Sequence, residues 1–241
     1  MGPPLSSSPS SSPPTPAFVP VDDEPLHRER WKTPDVRLVD VQFPPHTTSL
    51  WHQHVHYGVY IALTPIHAVE QSTNDTQSKP LSKQRGDVFC RDHTKDRLTH
   101  VVTTDADPMR IIEVELVRDT RQLATSAQLP LHVHRSLVLA HDDARCRVYR
   151  LSLLRGVDGA DRVSLVLPTS AVLVAIHDAT VSLRNPSVDD KIHADHARDV
   201  PATIRTLTAG DDVQLVAGAF ELLAVEYDAS GLALFILTEV Y

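Results

Sequence analysis

Hydrophobic and polar residues alternate with a period of two along much of this chain. In VRLVDVQF (Val36 to Phe43), Val39, Val41 and Phe43 alternate with Asp40 and Gln42. In RIIEVELV (Arg110 to Val117), Ile112, Val114 and Leu116 alternate with Glu113 and Glu115. Successive side chains of an extended chain point to opposite faces, so such runs predict strands with one apolar face. YGVYIALTPIHAVEQ reads as two strands broken at Thr64-Pro65, and CRVYRLSLL, VSLVLPTSAVLVAI, AFELLAVEY and LALFILTEV supply more. No long stretch carries a 3.6-residue period with caps at both ends. Many short strands punctuated by Pro, Gly and Asp predict an all-β fold of sandwich or barrel type.

The two halves repeat this pattern. GDVF at Gly86 is followed by PMRIIEVELV from Pro108, and GDDV at Gly210 is followed at the same interval by LALFILTEVY from Leu232. Upstream, the strand ending at Phe43 lines up with the one ending at Leu154, which carries SLWHQHVHYGVYIAL onto ADRVSLVLPTSAVLVAI. The organisation expected is a disordered Pro/Ser-rich tail over residues 1–30, a first barrel over 31–118, a connection over 119–143 and a second barrel over 144–241. The opening MGPPLSSSPSSSPPTPAFVP has too little apolar surface to offset the entropy of ordering, and it has no apolar core of a secretory signal.

Composition narrows the function classes. A hydrophobic content of 41% suffices for a core, and a formal charge of −8 argues against nucleic-acid partners, which need a basic surface. Two cysteines, Cys90 and Cys146, form no disulfide framework and suit a reducing compartment or a pair of buried thiols. No apolar run is long enough to span a bilayer, so a cytoplasmic protein is expected. There is no G-x-S-x-G, P-loop, G-x-G-x-x-G or C-x-x-C.

The chemistry concentrates in LWHQHVHYGVY, Leu50 to Tyr60. On a strand His52, His54 and His56 share one face, and two imidazoles one pleat apart can bind one ion if a further ligand arrives from another strand. Here the chain resembles the cupin superfamily, whose barrels carry the motifs G-x5-H-x-H-x3–4-E-x6-G and G-x5-P-x-G-x2-H-x3-N. His52 and His54 fall on H-x-H, but the glutamate position falls on Gly58. GDVFCRDHTKDRLTHVVTT resembles the second motif. Strict spacing puts its histidine at Arg97, while three extra loop residues put it at His100, with Thr104 in place of asparagine. In the second half the H-x-H pair aligns with Val163 and Leu165, and His100 aligns near Ala224.

The resemblance implies two cupin-type (double-stranded β-helix, jelly-roll) barrels in tandem, the second degenerate and without metal ligands. It implies a metalloprotein holding a divalent metal, iron(II) first among candidates, through His52, His54 and His100, in an oxygenase acting on a small molecule. The alternative keeps the same fold without catalysis or metal: His52 and His54 are then remnants on a barrel wall, and the protein binds a ligand or acts as a scaffold. Exposed edge strands would suit a homodimer.

Other residues carry weaker signals. Tyr60 shares the histidines' face and Arg97, like Arg91, could pair with a substrate carboxylate. His56 is a candidate fourth ligand or cavity residue. His93 reads as a solvated loop residue, His132 and His134 as surface or packing, and His193 and His196 as an exposed acidic loop. Asp87 and Asp211 suit turn hydrogen bonding, and Cys90 suits a small buried hydrophobe.

Overall fold

The computed structural model describes residues 16–118, 129–159, 161–185 and 201–241. The described chain is built of β1 (Val19–Pro20), β2 (His27–Lys32), β3 (Val36–Phe43), β4 (His52–His54), β5 (Tyr57–Ala62), β6 (Ile66–Ser72), β7 (Lys79–Lys83), β8 (Val88–Asp92), β9 (Leu98–Thr104) and β10 (Met109–Leu116). The second half continues with β11 (Leu137–Asp142), β12 (Cys146–Leu154), β13 (Arg162–Leu167), β14 (Ala171–Ala175), β15 (Ala179–Arg184), β16 (Thr203–Leu207), β17 (Asp212–Leu215), β18 (Gly218–Tyr227) and β19 (Leu232–Val240). A short 3-10 turn at Val21–Asp23 links β1 to β2.

These strands form four sheets, ordered β1-β4-β9-β6-β7, β2-β3-β10-β5-β8, β11-β12-β19-β14-β17 and β13-β18-β15-β16. The first two close over Val39, Val41, Phe43, Tyr60, Ile66, Val102 and Ile111 as the first barrel. The last two close over Leu151, Val163, Leu173, Val181, Phe220, Leu222 and Phe235 as the second. The expected all-β architecture of two jelly-roll barrels in tandem is what the chain adopts.

The barrels pack back to back. Leu38, Val59, Ile61, Ile112 and Val114 of one sheet meet Val148, Val172, Val174, Ile176 and Ile236 of the other in a third apolar cluster. The central strands of these two sheets are therefore covered on both faces. That reverses what the alternation in β10 suggests: Ile112, Val114 and Leu116 face the other barrel, while Glu113 and Glu115 face the interior of their own.

The two GD turns lie at this seam. Gly86 and Gly210 have φ of +82° and +96°, a region that strains any residue with a Cβ. A Cβ at Gly210 would also lie 2.8 Å from Leu63 Cδ1. Arg150 Nη2 donates to Gly86 O (2.8 Å), and Arg30 Nη1 donates to Gly210 O (2.5 Å), so each turn is held by an arginine of the other barrel. Asp87 and Asp211 accept the amides of Gln84 and Thr208, the turn role expected of them.

Two segments differ from the expected organisation. Residues 19–30, expected in the tail, form β1, the 3-10 turn and most of β2. The six residues of β2, HRERWK, show no apolar alternation because the strand sits at a sheet edge. Residues 137–142, expected in the connection, form the edge strand β11 for the same reason. The repeat alignment is also out, by one residue at Phe43 and by two at the histidine strand. Phe43 pairs with Met109, whose counterpart Ala233 pairs with Leu153 rather than Leu154. His54 pairs with Leu98, whose counterpart Leu222 pairs with Val163. Val163 thus takes the place of His54, and the place of His52 falls on Asp161, whose carbonyl accepts the Ala224 amide.

If the seam is a true core, Ile236→Ala should destabilise the protein by about 2–5 kcal/mol in urea unfolding. Val133→Ala, at a 94% exposed position, should stay within about 0.5 kcal/mol of the parent.

Candidate metal centre

The strand order of the first barrel gathers histidines from distant parts of the sequence. β4 pairs antiparallel with β9, setting His52 directly opposite His100, their ring centroids 4.5 Å apart. His54, one pleat along, faces the same way, 5.1 Å from both rings. β2 contributes His27, whose ring lies 4.6 Å from that of His52. His93 arrives from the turn after β8, its ring 5.6 Å from that of His54. His27, His52 and His54 each offer a ligating atom within 4.8 Å of the other two, as do His54, Glu113 and Glu115.

Hydrogen bonds fix the tautomers of three of these rings. His52 Nδ1 donates to the Leu50 carbonyl (2.8 Å), His100 Nδ1 to Glu70 Oε1 (2.6 Å) and His27 Nδ1 to Glu24 Oε2 (2.6 Å). In the neutral ring, Nε2 then carries a lone pair. His52 Nε2 and His100 Nε2 nevertheless stand 3.0 Å apart. Burial and the neighbouring imidazoles push His52 down to about 2, and burial, partly opposed by the Glu70 hydrogen bond, pushes His100 down to about 4. Both shifts disfavour the charged rings, and with each Nδ1 donating outward the two Nε2 lone pairs approach each other. A shared cation resolves this conflict: ligands at right angles on one ion, each about 2.1 Å from it, lie about 3.0 Å apart.

Carboxylates back the cluster. Glu24 takes the amides of Leu26 (2.8 Å) and Leu50 (3.3 Å) besides His27, and these bonds hold its carboxyl below the ordinary value although burial alone would raise it. Arg91 grips both oxygens of Glu70, at 2.5 and 2.8 Å. Such carboxylate–imidazole pairs are the usual outer support of metal-bound histidines.

Glu113 and Glu115 are each 1% exposed, and Glu113 Oε1 lies 3.4 Å from His54 Nδ1. Neither oxygen of Glu113, nor His54 Nδ1, has a hydrogen-bond partner. Burial would raise Glu113, but the adjacent His54 outweighs it and keeps the carboxyl ionised. Burial and the Glu113 charge raise Glu115, against the pull of Arg37. Unpartnered buried carboxylate oxygens beside imidazole rings are the donor set a divalent first-row metal would fill.

The structure also accounts for Gly58. A Cβ there would lie 2.7–2.8 Å from the Tyr60 ring and hydroxyl, so a side chain at this position is displaced by Tyr60. Glu115 sits directly across the ladder from Gly58, and Glu113 across from Tyr60. The neighbouring strand thus carries two carboxylates beside the position where β5 has none.

Of the residues expected at the site, His52, His54, His100 and Tyr60 line one cavity, of about 40 Å³, together with His27, Glu70, Arg91 and Glu113. Arg97 does not reach it; it is exposed in the turn between β8 and β9, and Arg91, on β8, takes the cavity position. His93 is not solvated: it is 5% exposed, and its Nε2 lies 3.3 Å from the Tyr60 hydroxyl. His56 lies half-buried between β4 and β5, outside the cavity lining. His132 packs against Glu239, with Nε2 2.6 Å from its carboxylate. His193 and His196 lie outside the described residues. Glu24, His27 and Glu70 carried no motif. The parity of Glu113 and Glu115 was visible, but their face was not.

No family model and no curated protein matches the chain. Solved structures do. The Escherichia coli protein Ylba superposes with a TM-score of 0.56 at 9% identity, covering 91% of this chain and 85% of that one. Lactobacillus farciminis oxalate decarboxylase, a formate complex, gives 0.55 at 9% identity, covering 86% and 77%. Bacillus subtilis oxalate decarboxylase, described for its Mn(II) centres, gives 0.52 at 10% identity, covering 86% and 69%. These neighbours are cupin-family proteins, and the likeness establishes the cupin fold.

Because His52, His93 and His100 are buried neutral, with burial first among the causes, the unfolded chain binds protons between pH 6.5 and about 4 that the folded chain does not. Stability of chelator-treated protein is therefore complete above pH 6.5 and falls as pH drops through this window. Each such group contributes a slope of up to about 1.4 kcal/mol per pH unit. Urea midpoints measured from pH 7 to 4 should fall steadily, and a flat profile would contradict the neutral assignment.

Proposed function

We propose that the first barrel is the metal centre of a small-molecule metalloenzyme, with His52, His54 and His100 as ligands, joined by His27 and by Glu113 as carboxylate. The observation that carries this reading is the 3.0 Å approach of two lone-pair nitrogens, His52 Nε2 and His100 Nε2. Imidazole with one carboxylate suits iron(II) or manganese(II). Oxygenase chemistry on a small substrate is the first candidate. When bound, such an ion supplies Lewis acidity and open positions for substrate or dioxygen.

The chain's own residues do the rest. Glu24 and Glu70 fix the rings of His27 and His100, and Glu113 offsets the positive charge of the centre. Burial and the Glu113 charge hold the Tyr60 hydroxyl protonated, so it presents an O–H at the cavity wall. His93 Nε2, 3.3 Å away, accepts a hydrogen bond from that O–H and fixes its direction. Stacking of Tyr60 on Phe89 (4.9 Å between centroids, 9° between planes) locks the ring. The second barrel, with its apolar interior, serves as structural support without metal.

A second reading rests on the cavity itself. About 40 Å³ has room for an ion and only one or two waters, which favours a non-catalytic barrel holding an ion or a very small ligand.

Metal analysis by mass spectrometry should find a first-row divalent ion in the parent and its loss from this centre in a His52→Ala/His54→Ala double variant. No centre-dependent metal, even after anaerobic reconstitution with iron(II) or manganese(II), would refute the proposal. Metal without oxygen uptake or turnover of any small acid, thiol or phenol would favour the second reading. Glu70→Gln should weaken metal affinity about 10–100-fold in competition with a chromophoric chelator, while leaving the fold intact.

A further inference from the structure

A second group of ligating side chains lies away from the histidine centre, where the edges of the two barrels meet. Cys90 comes from β8 of the first barrel, whereas His141 on β11 and Cys146 at the start of β12 belong to the second. One ligating atom of each lies within 4.8 Å of the other two. A tetrahedral ion with metal–sulfur bonds of about 2.3 Å and metal–nitrogen bonds of about 2.0 Å places its ligands about 3.5–3.8 Å apart. The three side chains therefore stand close to that arrangement, with small rotations left to make.

The surroundings fit a built site. Asp143 Oδ2 lies 3.0 Å and the Tyr57 hydroxyl 2.9 Å from His141 Nε2, which leaves Nδ1 as the nitrogen for an ion and gives the ring the carboxylate partner usual for a metal-bound histidine. The other oxygen of Asp143 accepts the amides of Arg145 (2.8 Å) and Cys146 (3.0 Å), which fixes the turn between β11 and β12. The Tyr57 hydroxyl, from the first barrel, donates to Asp143 Oδ2 (2.6 Å) and lies 3.9 Å from Cys146 Sγ. Cys146 is buried and Cys90 half-buried, while the side chains of His141 and Asp143 are 30% and 33% exposed, so the group opens to solvent on one side.

We propose that Cys90, His141 and Cys146 bind a zinc(II) ion that joins the two barrels, with Asp143 orienting His141 and the fourth position open to water. Two sulfurs and one imidazole select a borderline-soft ion, unlike the histidine–carboxylate centre of the first barrel. Both cysteines bind as thiolates, so each zinc taken up displaces two thiol protons to solvent. Its coordination draws on strands of both barrels, so the ion acts on their union rather than on either fold alone. This site stands independently of the function proposed for the first barrel.

Cobalt(II) loading of the full chain distinguishes the two centres, since only a thiolate site gives an intense near-ultraviolet sulfur-to-cobalt charge-transfer band. That band should persist in the His52→Ala/His54→Ala variant, and it should vanish in Cys90→Ser/Cys146→Ser. In His141→Ala, which keeps both thiols, it should weaken, and zinc should dissociate at least about 10-fold more readily. With zinc bound, both thiols should resist alkylation until a chelator is added. The proposal is overturned if reduced parent protein gives no sulfur-to-cobalt band. It is equally overturned if Cys90 and Cys146 are found joined as a disulfide in protein prepared under thiol reductant, or if both alkylate freely in the presence of zinc.

Discussion

The central strands β3, β10 and β5 of the first barrel's inner sheet have almost no face left for water, and the rest of the structure follows from that. One face carries Leu38, Val59, Ile61, Ile112 and Val114 against the second barrel, which places the other face inside the first. A strand buried on both sides must put its polar alternates somewhere dry. In β10 those alternates are Glu113 and Glu115, so docking the barrels aims two carboxylates at the histidines of β4 and β9. The apolar seam and the polar centre are two consequences of one pleat.

Gathering five imidazoles and several carboxylates in a protein interior is expensive, because each charged form loses its hydration and each orphaned acceptor loses a partner. The structure offsets part of this by keeping imidazoles neutral, by backing His27 and His100 with Glu24 and Glu70, and by placing Arg91 and Arg37 against the carboxylates. What remains is concentrated at His52, His54, His100 and Glu113, where ring nitrogens crowd together and buried polar atoms lack partners. Residual frustration of this kind marks functional sites, since a core selected for stability alone would fill the space with apolar side chains.

The second barrel makes the contrast within one molecule. It repeats the strand order of the first, and its GD turn at Gly210 is clasped from the other barrel as the turn at Gly86 is. Yet its core is mostly Leu, Val, Ala and Phe, with Val163 where the first barrel has His54, and its buried Arg147 and Glu239 gather no cluster of imidazoles among the described residues. The same backbone thus holds either a polar centre or an ordinary core, and the likeness to solved cupins fixes the scaffold while the side chains fix the chemistry.

Period-two alternation, the absence of helical periodicity and the paired GD turns were enough to determine the all-β class and the tandem repeat, because both are local properties of the chain. The shared face of His52 and His54 was equally local, a matter of strand parity, and the cupin-like spacing drew in His100. The sequence pointed to the wrong face of β10 as the inside, since its polar residues line a buried centre rather than facing water. Nor could it find His27 on a short charged edge strand, or His93 in a turn whose composition reads as solvated. It placed Arg97 where Arg91 stands, because loop length between β8 and β9 is not encoded in any motif. Cys90 and Cys146 carried no local signal either; only the docking of the barrels brings their sulfurs beside His141. Local parity determined the strands and one pair of ligands, and long-range packing decided which distant residues completed the site.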